Sequence, residues 1–248
     1  MTNDFKKIFN SFGAAYPRYN IFRDFCAMAA ISLSNSMKAF QPPAIVAKRE
    51  EEYAQIKAKY KVDVHNKFPQ LLAATVEALG AKPEQDFLGN MFMELDLGNK
   101  LAGQFFSPYS ISALMVKSTI PTLLEGLKTK PYVTMSDPTV GGGGMMIATF
   151  NGIREAGENP QTRCLFFGAD IDLDVLRMAY TQCALLGMCG HFIHGDSLKL
   201  EQWSTWTTPM YYMNWQRFVE PKEPTADESA DAPKNVFELM EGLEHEHD

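Results

Sequence analysis

Apolar residues recur at intervals of three and four through the first hundred positions, which predicts helices. In the segment 19–38, a set of apolar residues falls on one helical face: Phe22, Phe25, Cys26, Ala29 and Leu33. The helical pattern continues in the segments 42–60, 68–80 and 85–98. The last two segments end at glycines. The sequence therefore predicts a helical N-terminal domain over residues 1–100.

After residue 100 the pattern changes to short apolar runs that alternate with helical segments. The runs KPYVTM, RCLFFGAD and HFIHGDSL each lead to an aspartate, at Asp137, Asp170 and Asp196. Between the last two runs lies a helical pattern whose apolar face is Leu173, Leu176, Ala179, Tyr180 and Cys183. This alternation predicts an α/β domain with a parallel sheet over residues 101–218.

Four consecutive glycines, residues 141–144, follow the first of these strands and precede the next helix. A turn without Cβ atoms lets backbone N–H groups approach a nucleotide-like ligand closely. No Gly-Lys-Ser/Thr follows, so a phosphate-binding loop fits poorly. Asp137, just before the turn, suits a ligand that carries an ammonium group and points to S-adenosylmethionine.

The other two strand-end carboxylates extend the same expected pocket, because the carboxyl ends of parallel strands meet at one edge of a sheet. Asp170 is placed to accept both ribose hydroxyls, and Asp196 to accept the adenine amino group. Asp172 is expected to cap the helix that follows. The alternatives are that Asp170 is itself a cap and that Asp196 is only a turn residue.

These segments together resemble a known family. The motifs GQFFSP, DPTVGGGGMM, GADID and GDSL, with DFLGNMFMEL upstream, are similar in order and spacing to the adenine-N6 DNA methyltransferases. They resemble especially the modification subunits of type I restriction systems, and the resemblance covers roughly residues 80 to 200. The resemblance implies a Rossmann-like, S-adenosylmethionine-dependent methyltransferase sheet after the helical domain, incomplete at its C-terminal end.

The resemblance also implies site residues. The glycine turn and Asp137 would cradle the methionine part of the cofactor, with Phe105 and Pro108 closing over it. The full set of expected S-adenosyl-L-methionine ligands is Gly103, Gln104, Phe105, Phe106, Ser107, Pro108, Asp137, Pro138, Thr139, Gly141, Gly142, Gly143, Gly144, Asp170, Ile171, Asp196 and Ser197.

The family's catalytic motif, Asn/Asp/Ser-Pro-Pro-Tyr/Phe at the end of the fourth strand, has no match here. The nearest segment is TTPMYY, in which Thr208, Pro209 and Tyr211 are the catalytic candidates, with Tyr211 stacking on an extruded base. The preceding LEQWSTWT is not the apolar run of a buried parallel strand. The alternative is that residues 208–212 form an aromatic loop or edge element.

The charge and composition of the chain limit the classes of partner that it is expected to bind. Residues 219–248 hold ten acidic residues and two lysines, a net charge of −8, which predicts a disordered acidic tail. The whole chain carries −7, so the remainder carries +1, which is not a strong balance for binding DNA. Four cysteines without CxxC spacing predict reduced thiols, no metal site and a cytoplasmic protein. Neither a membrane span nor a signal segment is expected.

Two functions from different classes follow. The first is a divergent adenine-N6 DNA methyltransferase that obtains target recognition, and its missing strands, from a partner such as a specificity subunit; its autonomous activity is in question. The second is a catalytically inactive binding protein of the same fold, acting as a regulator, decoy or antirestriction factor. The role of residues 208–212 separates the two.

Overall fold

The computed structural model describes residues 2–95, 97 and 106–218, and within them the chain forms ten helices and four strands. The helices are α1 (Thr2–Asn10), α2 (Arg18–Asn35), α3 (Pro43–Ala58), α4 (Lys67–Ala81), α5 (Phe87–Glu94), α6 (Tyr109–Thr129), α7 (Gly144–Glu155), α8 (Pro160–Arg163), α9 (Leu173–Leu185) and α10 (Pro209–Asn214). The strands are β1 (Val133–Asp137), β2 (Cys164–Asp170), β3 (Gly190–Asp196) and β4 (Glu201–Thr207). Short 3-10 turns lie at Lys38–Phe40, Val62–Val64 and Trp215–Arg217.

The four strands form one sheet in the order β1-β2-β3-β4. β1, β2 and β3 are parallel, with Asp137 beside Gly168 and Asp170 beside His194. β4 runs antiparallel to β3 and forms an edge of the sheet. The predicted α/β sheet, preceded by helices, is therefore confirmed.

β4 is antiparallel because the connection that precedes it is short. Residues 197–200 alone join it to β3, whereas a parallel strand needs a crossover of a dozen or more residues. Glu201 and Trp203 are exposed while Gln202 and Ser204 are partly buried and Trp206 is buried, as expected for an edge strand with one face packed. Leu200, in the turn, has a φ of 57°.

Two apolar clusters hold the fold together, and α2 contributes to both. Phe22 and Phe25 belong to the cluster of the helical region, and Ala30 and Ile31 belong to the cluster around the sheet. α2 is therefore buried on nearly every side, where the sequence predicted a single apolar face. In α9 the predicted apolar face is confirmed, since four of its five members are wholly buried: Leu176, Ala179, Tyr180 and Cys183.

Helices and sheet belong to one compact unit that ends at Trp215, and a second unit begins at Gln216. The expected boundary near residue 100 remains a prediction, and the expected acidic tail, 219–248, lies outside the described residues. Within the described ranges, no helix combines the length and the apolar character needed to cross a bilayer.

Candidate cofactor site

The glycine turn connects β1 to α7 in a conformation that only glycine adopts readily. Gly141 has a φ of 54° and Gly143 a φ of 91°, both in the left-handed region that L side chains avoid. The amide of Val140 donates to the carbonyl of Ala169 at 2.8 Å, and the amide of Gly143 donates to the carbonyl of Val140 at 2.9 Å. The turn is therefore fixed against the carboxyl end of β2 and leads directly into the first turn of α7.

Asp170, the last residue of β2, holds this turn in place. Its Oδ2 accepts from the amide of Gly141 at 3.0 Å, and its Oδ1 accepts from the amide of Asp172 at 3.0 Å. Burial raises the pKa of the Asp170 carboxyl, against these backbone hydrogen bonds, which lower it. Asp172 accepts from the amide of Asp174 at 2.9 Å and is the N-cap of α9, so its predicted role as a cap is confirmed.

Asp137, the last residue of β1, lies beside this arrangement. Its Oδ1 accepts from the amide of Thr139 at 3.1 Å. Burial raises the pKa of the Asp137 carboxyl, the Thr139 amide offsets part of that shift, and the charge of Asp170 adds to it. Two carboxylates that interact electrostatically beside a glycine turn create a negative potential there. Such a potential favours a ligand with a positive charge.

The third strand-end aspartate has a different environment. Oδ1 of Asp196 accepts from the amides of Leu198 and Lys199 at 3.0 and 3.2 Å, which is the geometry of a turn residue. The next hydroxyl, Oγ of Ser197, donates to the carbonyl of Pro138 at 2.7 Å and so joins the β3–β4 turn to the residues before the glycines. Ile171, after Asp170, leaves 61% of its surface exposed.

The segment 106–108 reaches the glycine turn from the helical side. A Cβ on Gly141 would lie 3.4 Å from the ring of Phe106, so this ring covers the turn. The same ring packs edge-on against Phe92 of α5, with centroids 5.4 Å apart. Ser107 is exposed, and Pro108 precedes α6 as its N-cap. Gly103, Gln104 and Phe105, also expected at the site, lie outside the described residues.

The structure does not bring the expected catalytic residues to this edge. Because β4 is antiparallel, Thr207 lies beside His191 near the amino end of β3, about 17 Å of strand away from Asp196. The resemblance implies a catalytic motif at the end of the fourth strand; residues 208–211 follow β4, but β4 is an antiparallel edge strand, which agrees with the alternative that the sequence left open. Tyr211 packs against His191 with ring centroids 4.2 Å apart, and Pro209 begins α10.

Thr208 is used for structure at this opposite edge. It is wholly buried. Its Oγ1 donates to the carbonyl of Met188 at 2.7 Å and accepts from the amide of Gly190 at 3.0 Å. Its own amide donates to the carbonyl of Gly190 at 3.0 Å. Every polar group of Thr208 except its carbonyl thus fixes the start of β3 to the end of β4.

We expect Thr208→Val to lower the free energy of unfolding by about 1–3 kcal/mol, because the buried Gly190 amide loses its acceptor. Affinity for S-adenosylmethionine should stay within twofold of the wild type, since the residue lies far from the glycine turn. Chemical denaturation and calorimetric titration measure the two quantities. Thr122→Val, at an exposed position in α6, is the control. Normal stability with lost methyl transfer would restore a catalytic role for Thr208.

Two residues beneath the glycine turn had no predicted role. Asp86, the N-cap of α5, and Gln182 of α9 are buried and hydrogen-bonded to each other, with a distance of 2.8 Å from Nε2 to Oδ1. They are 96 positions apart in the chain. The sequence signal for Asp86 is its place in the DFLGNMFMEL segment, while nothing in the local sequence marks Gln182.

A glycine turn with two aspartates beside it, at the carboxyl edge of a parallel sheet, is the arrangement that holds nucleotide-type ligands in open α/β folds. The profile of the N-6 DNA methylase family matches residues 86–222, more than half of the 248 residues. The chain therefore belongs to the N-6 DNA methylase family. The cofactor of this family is S-adenosylmethionine, as the sequence predicted.

Comparison with solved structures finds a crystal structure from Listeria monocytogenes that is described as a class I S-adenosylmethionine-dependent methyltransferase. The two sequences are 14% identical, and the match covers 79% of this chain and 54% of that chain, with a TM-score of 0.41. The chain thus spans about half the length of that structure. Comparison with curated proteins finds no match.

Proposed function

We propose that the chain binds S-adenosylmethionine at the carboxyl edge of β1 and β2 and takes part in adenine-N6 methylation of DNA. The observation that carries this proposal is the glycine turn held by the Asp170 carboxylate, with Asp137 beside it. Family membership supports the reaction class, and the site supports the place where the cofactor is held.

The proposed contacts follow from the position of each side chain. Asp137, at the end of β1, suits the ammonium group of the methionine part, and the amides of the glycine turn suit its carboxylate. Asp170, at the end of β2, suits the ribose hydroxyls. Its carboxylate accepts two backbone hydrogen bonds and has further lone pairs for these hydroxyls. The exposed side chain of Ile171 would offer an apolar surface to the adenine ring, and Phe106 would cover the methionine end.

The Asp196 carboxylate can serve the adenine amino group only while it also accepts the two amides of its turn. Each carboxylate oxygen has two lone pairs, so both roles are compatible. Asp196 and Ser197 therefore remain proposed adenine-side residues, together with Pro138 and Thr139 on the exposed side of the turn.

The chemistry that the cofactor supplies when bound is an electrophilic methyl group on a sulfonium sulfur. The residues of this chain would hold that methyl group in place. Phe106 and the apolar side chains around it would exclude water from it. Among the described residues at this edge, none matches the family's catalytic motif. We therefore propose that the groups that hold the target amino group come from elsewhere, as a partner chain would supply them.

The unpaired edge of β1 supports the proposal that a partner chain completes the site. Within the described residues, β1 pairs only with β2 and is the first strand of the sheet. An unpaired strand edge can accept another strand through its backbone groups. A specificity or partner subunit of a restriction-modification system would supply target recognition and DNA contacts, which the nearly neutral charge of residues 1–218 does not provide.

The second function remains a cofactor-binding protein without activity, acting as a regulator, decoy or antirestriction factor. The observation that favours it is the structural use of Thr208 at the far edge of the sheet. A methyl-transfer assay on adenine-containing DNA, with and without a partner subunit, separates the two functions: transfer only with the partner supports the first, and binding without transfer in both conditions supports the second.

Calorimetric titration with S-adenosylmethionine tests the site directly. We expect micromolar binding by the wild type and at least tenfold weaker binding by Asp137→Ala, because the ammonium group would lose its carboxylate partner. Asp63→Ala, at an exposed position in the helical region, is the control and should bind like the wild type. Equal affinity in all three proteins would show that Asp137 does not contact the cofactor, and no binding by a folded wild type at millimolar cofactor would refute the site.

A further inference from the structure

A buried carboxylate lies directly beneath the glycine turn. Asp86 leaves 3% of its surface exposed, and its Oδ1 accepts from the amide of Gly89 at 2.9 Å, which caps α5. The same oxygen accepts from Nε2 of Gln182 at 2.8 Å. A Cβ on Gly142 would lie 2.8 Å from Oδ2 of Asp86, so the turn rests on this carboxylate without room for a side chain.

Gln182 completes the connection between three elements. It is wholly buried in α9. Its Nε2 donates to the carbonyl of Gly142 at 2.8 Å as well as to Asp86, and its Oε1 accepts from the amide of Leu88 at 2.9 Å. A single amide side chain therefore fixes the first turn of α5, the glycine turn and α9 relative to one another.

A carboxylate is a costly cap at this buried place, because serine or asparagine can cap a helix without burying a charge. Burial raises the pKa of Asp86 to about 6. Among the described residues its hydrogen-bond partners are amides rather than cations. Burial, with a further contribution from the Asp86 charge, raises the pKa of the Cys183 thiol beside it. A raised pKa means that the carboxyl favours folding most when protonated and that this contribution is lost as the pH rises through about 6. At pH 8 the ionised group therefore weakens the fold.

Residues that weaken a fold often serve a function. We propose that Asp86 and Gln182 are positioning residues that set the conformation of the glycine turn, so that α5 controls the affinity for S-adenosylmethionine. The proposal rests on the proposed cofactor site. Through the Gly142 carbonyl the pair fixes the peptide plane between Gly142 and Gly143, and so the direction of the turn's amides.

Asp86→Asn is the decisive variant, because it keeps the shape and removes one acceptor. If its oxygen faces Gln182, its NH₂ group lies under Gly142; if it is reversed, its NH₂ group opposes the Nε2 of Gln182. In the first orientation an NH₂ donor replaces an acceptor oxygen beneath Gly142, in the second two donors face each other, and in both the buried charge disappears. We therefore expect at least tenfold weaker binding of S-adenosylmethionine at pH 8, with a melting temperature equal to or above that of the wild type.

Gln182→Leu and the double variant test whether the two residues act as a unit. We expect the double variant to bind the cofactor no more weakly than the weaker single variant, since residues of one network are not additive. Asp63→Asn, an exposed change of the same kind, is the control. If binding weakens only in proportion to a lower melting temperature, the role of Asp86 is structural and the proposal is overturned.

Hydrogen exchange of residues 141–144 tests the same idea without any cofactor. We expect the amides of Gly141 and Gly143 to exchange at least tenfold faster in Asp86→Asn than in the wild type. Unchanged exchange would overturn the positioning role, whatever the binding result. A wild type that does not bind S-adenosylmethionine would refute the proposed site alone, and the exchange rates would still decide the role of Asp86.

Discussion

Asp170→Ala should reduce the affinity for S-adenosylmethionine at least a hundredfold, which corresponds to about 2.7 kcal/mol of binding free energy. The substitution removes two interactions at once. It takes away the proposed partner of the ribose hydroxyls, and it frees the amide of Gly141, which the carboxylate holds at 3.0 Å. We also expect the free energy of unfolding to fall by about 2 kcal/mol, because two backbone amides lose their acceptor.

Asp172→Ala is the matched control for this prediction. It removes the N-cap of α9 and should lower stability by about 1 kcal/mol, yet it leaves the Asp170–Gly141 hydrogen bond in place. Calorimetric titration and denaturant unfolding of both variants therefore separate binding from stability. If both variants lose affinity equally, the loss comes from α9 and not from the ribose contact.

Gly143→Ala should lower the free energy of unfolding by about 2–3 kcal/mol and bring cofactor binding below detection. Gly143 has a φ of 91°, which is strained for any L residue. Its new Cβ would also lie 3.3 Å from Cβ of Ala179 and 3.4 Å from Sγ of Cys183. Relief of this contact moves the turn away from α9. For a chain of this size the melting temperature should fall by roughly 6 °C.

Gly157→Ala separates the backbone strain from the contact with α9, because Gly157 has a φ of 87° but nothing within 4 Å of its added Cβ. It carries the same backbone strain without the contact, so it should lower stability by about 1 kcal/mol and leave binding unchanged. Thermal unfolding and titration of the two variants give the comparison. Equal destabilisation by both would mean that packing against α9 contributes nothing at Gly143.

The strand, glycine turn and helix around the proposed cofactor site could be predicted because their signals are local. A strand, a glycine turn and a helix follow each other within about twenty residues, and the cap at Asp172 uses amides only two and three residues later in the chain. The position of Thr208 could also have been found, since residues 197–200 are too few for a parallel crossover. The polar alternation of LEQWSTWT agrees with an antiparallel edge strand, the alternative that the sequence left open.

The sequence by itself determined the helical region, the parallel strands, the glycine turn and membership in the N-6 DNA methylase family. These depend on periodicity, on glycine's freedom at positive φ and on the order of motifs, all of which are properties of short segments. Only the tertiary structure decided that the TTPMYY segment lies at the far edge of the sheet and that Asp86 and Gln182 meet beneath Gly142. Contacts between residues 96 positions apart depend on how α5 and α9 pack, and no local pattern encodes that packing.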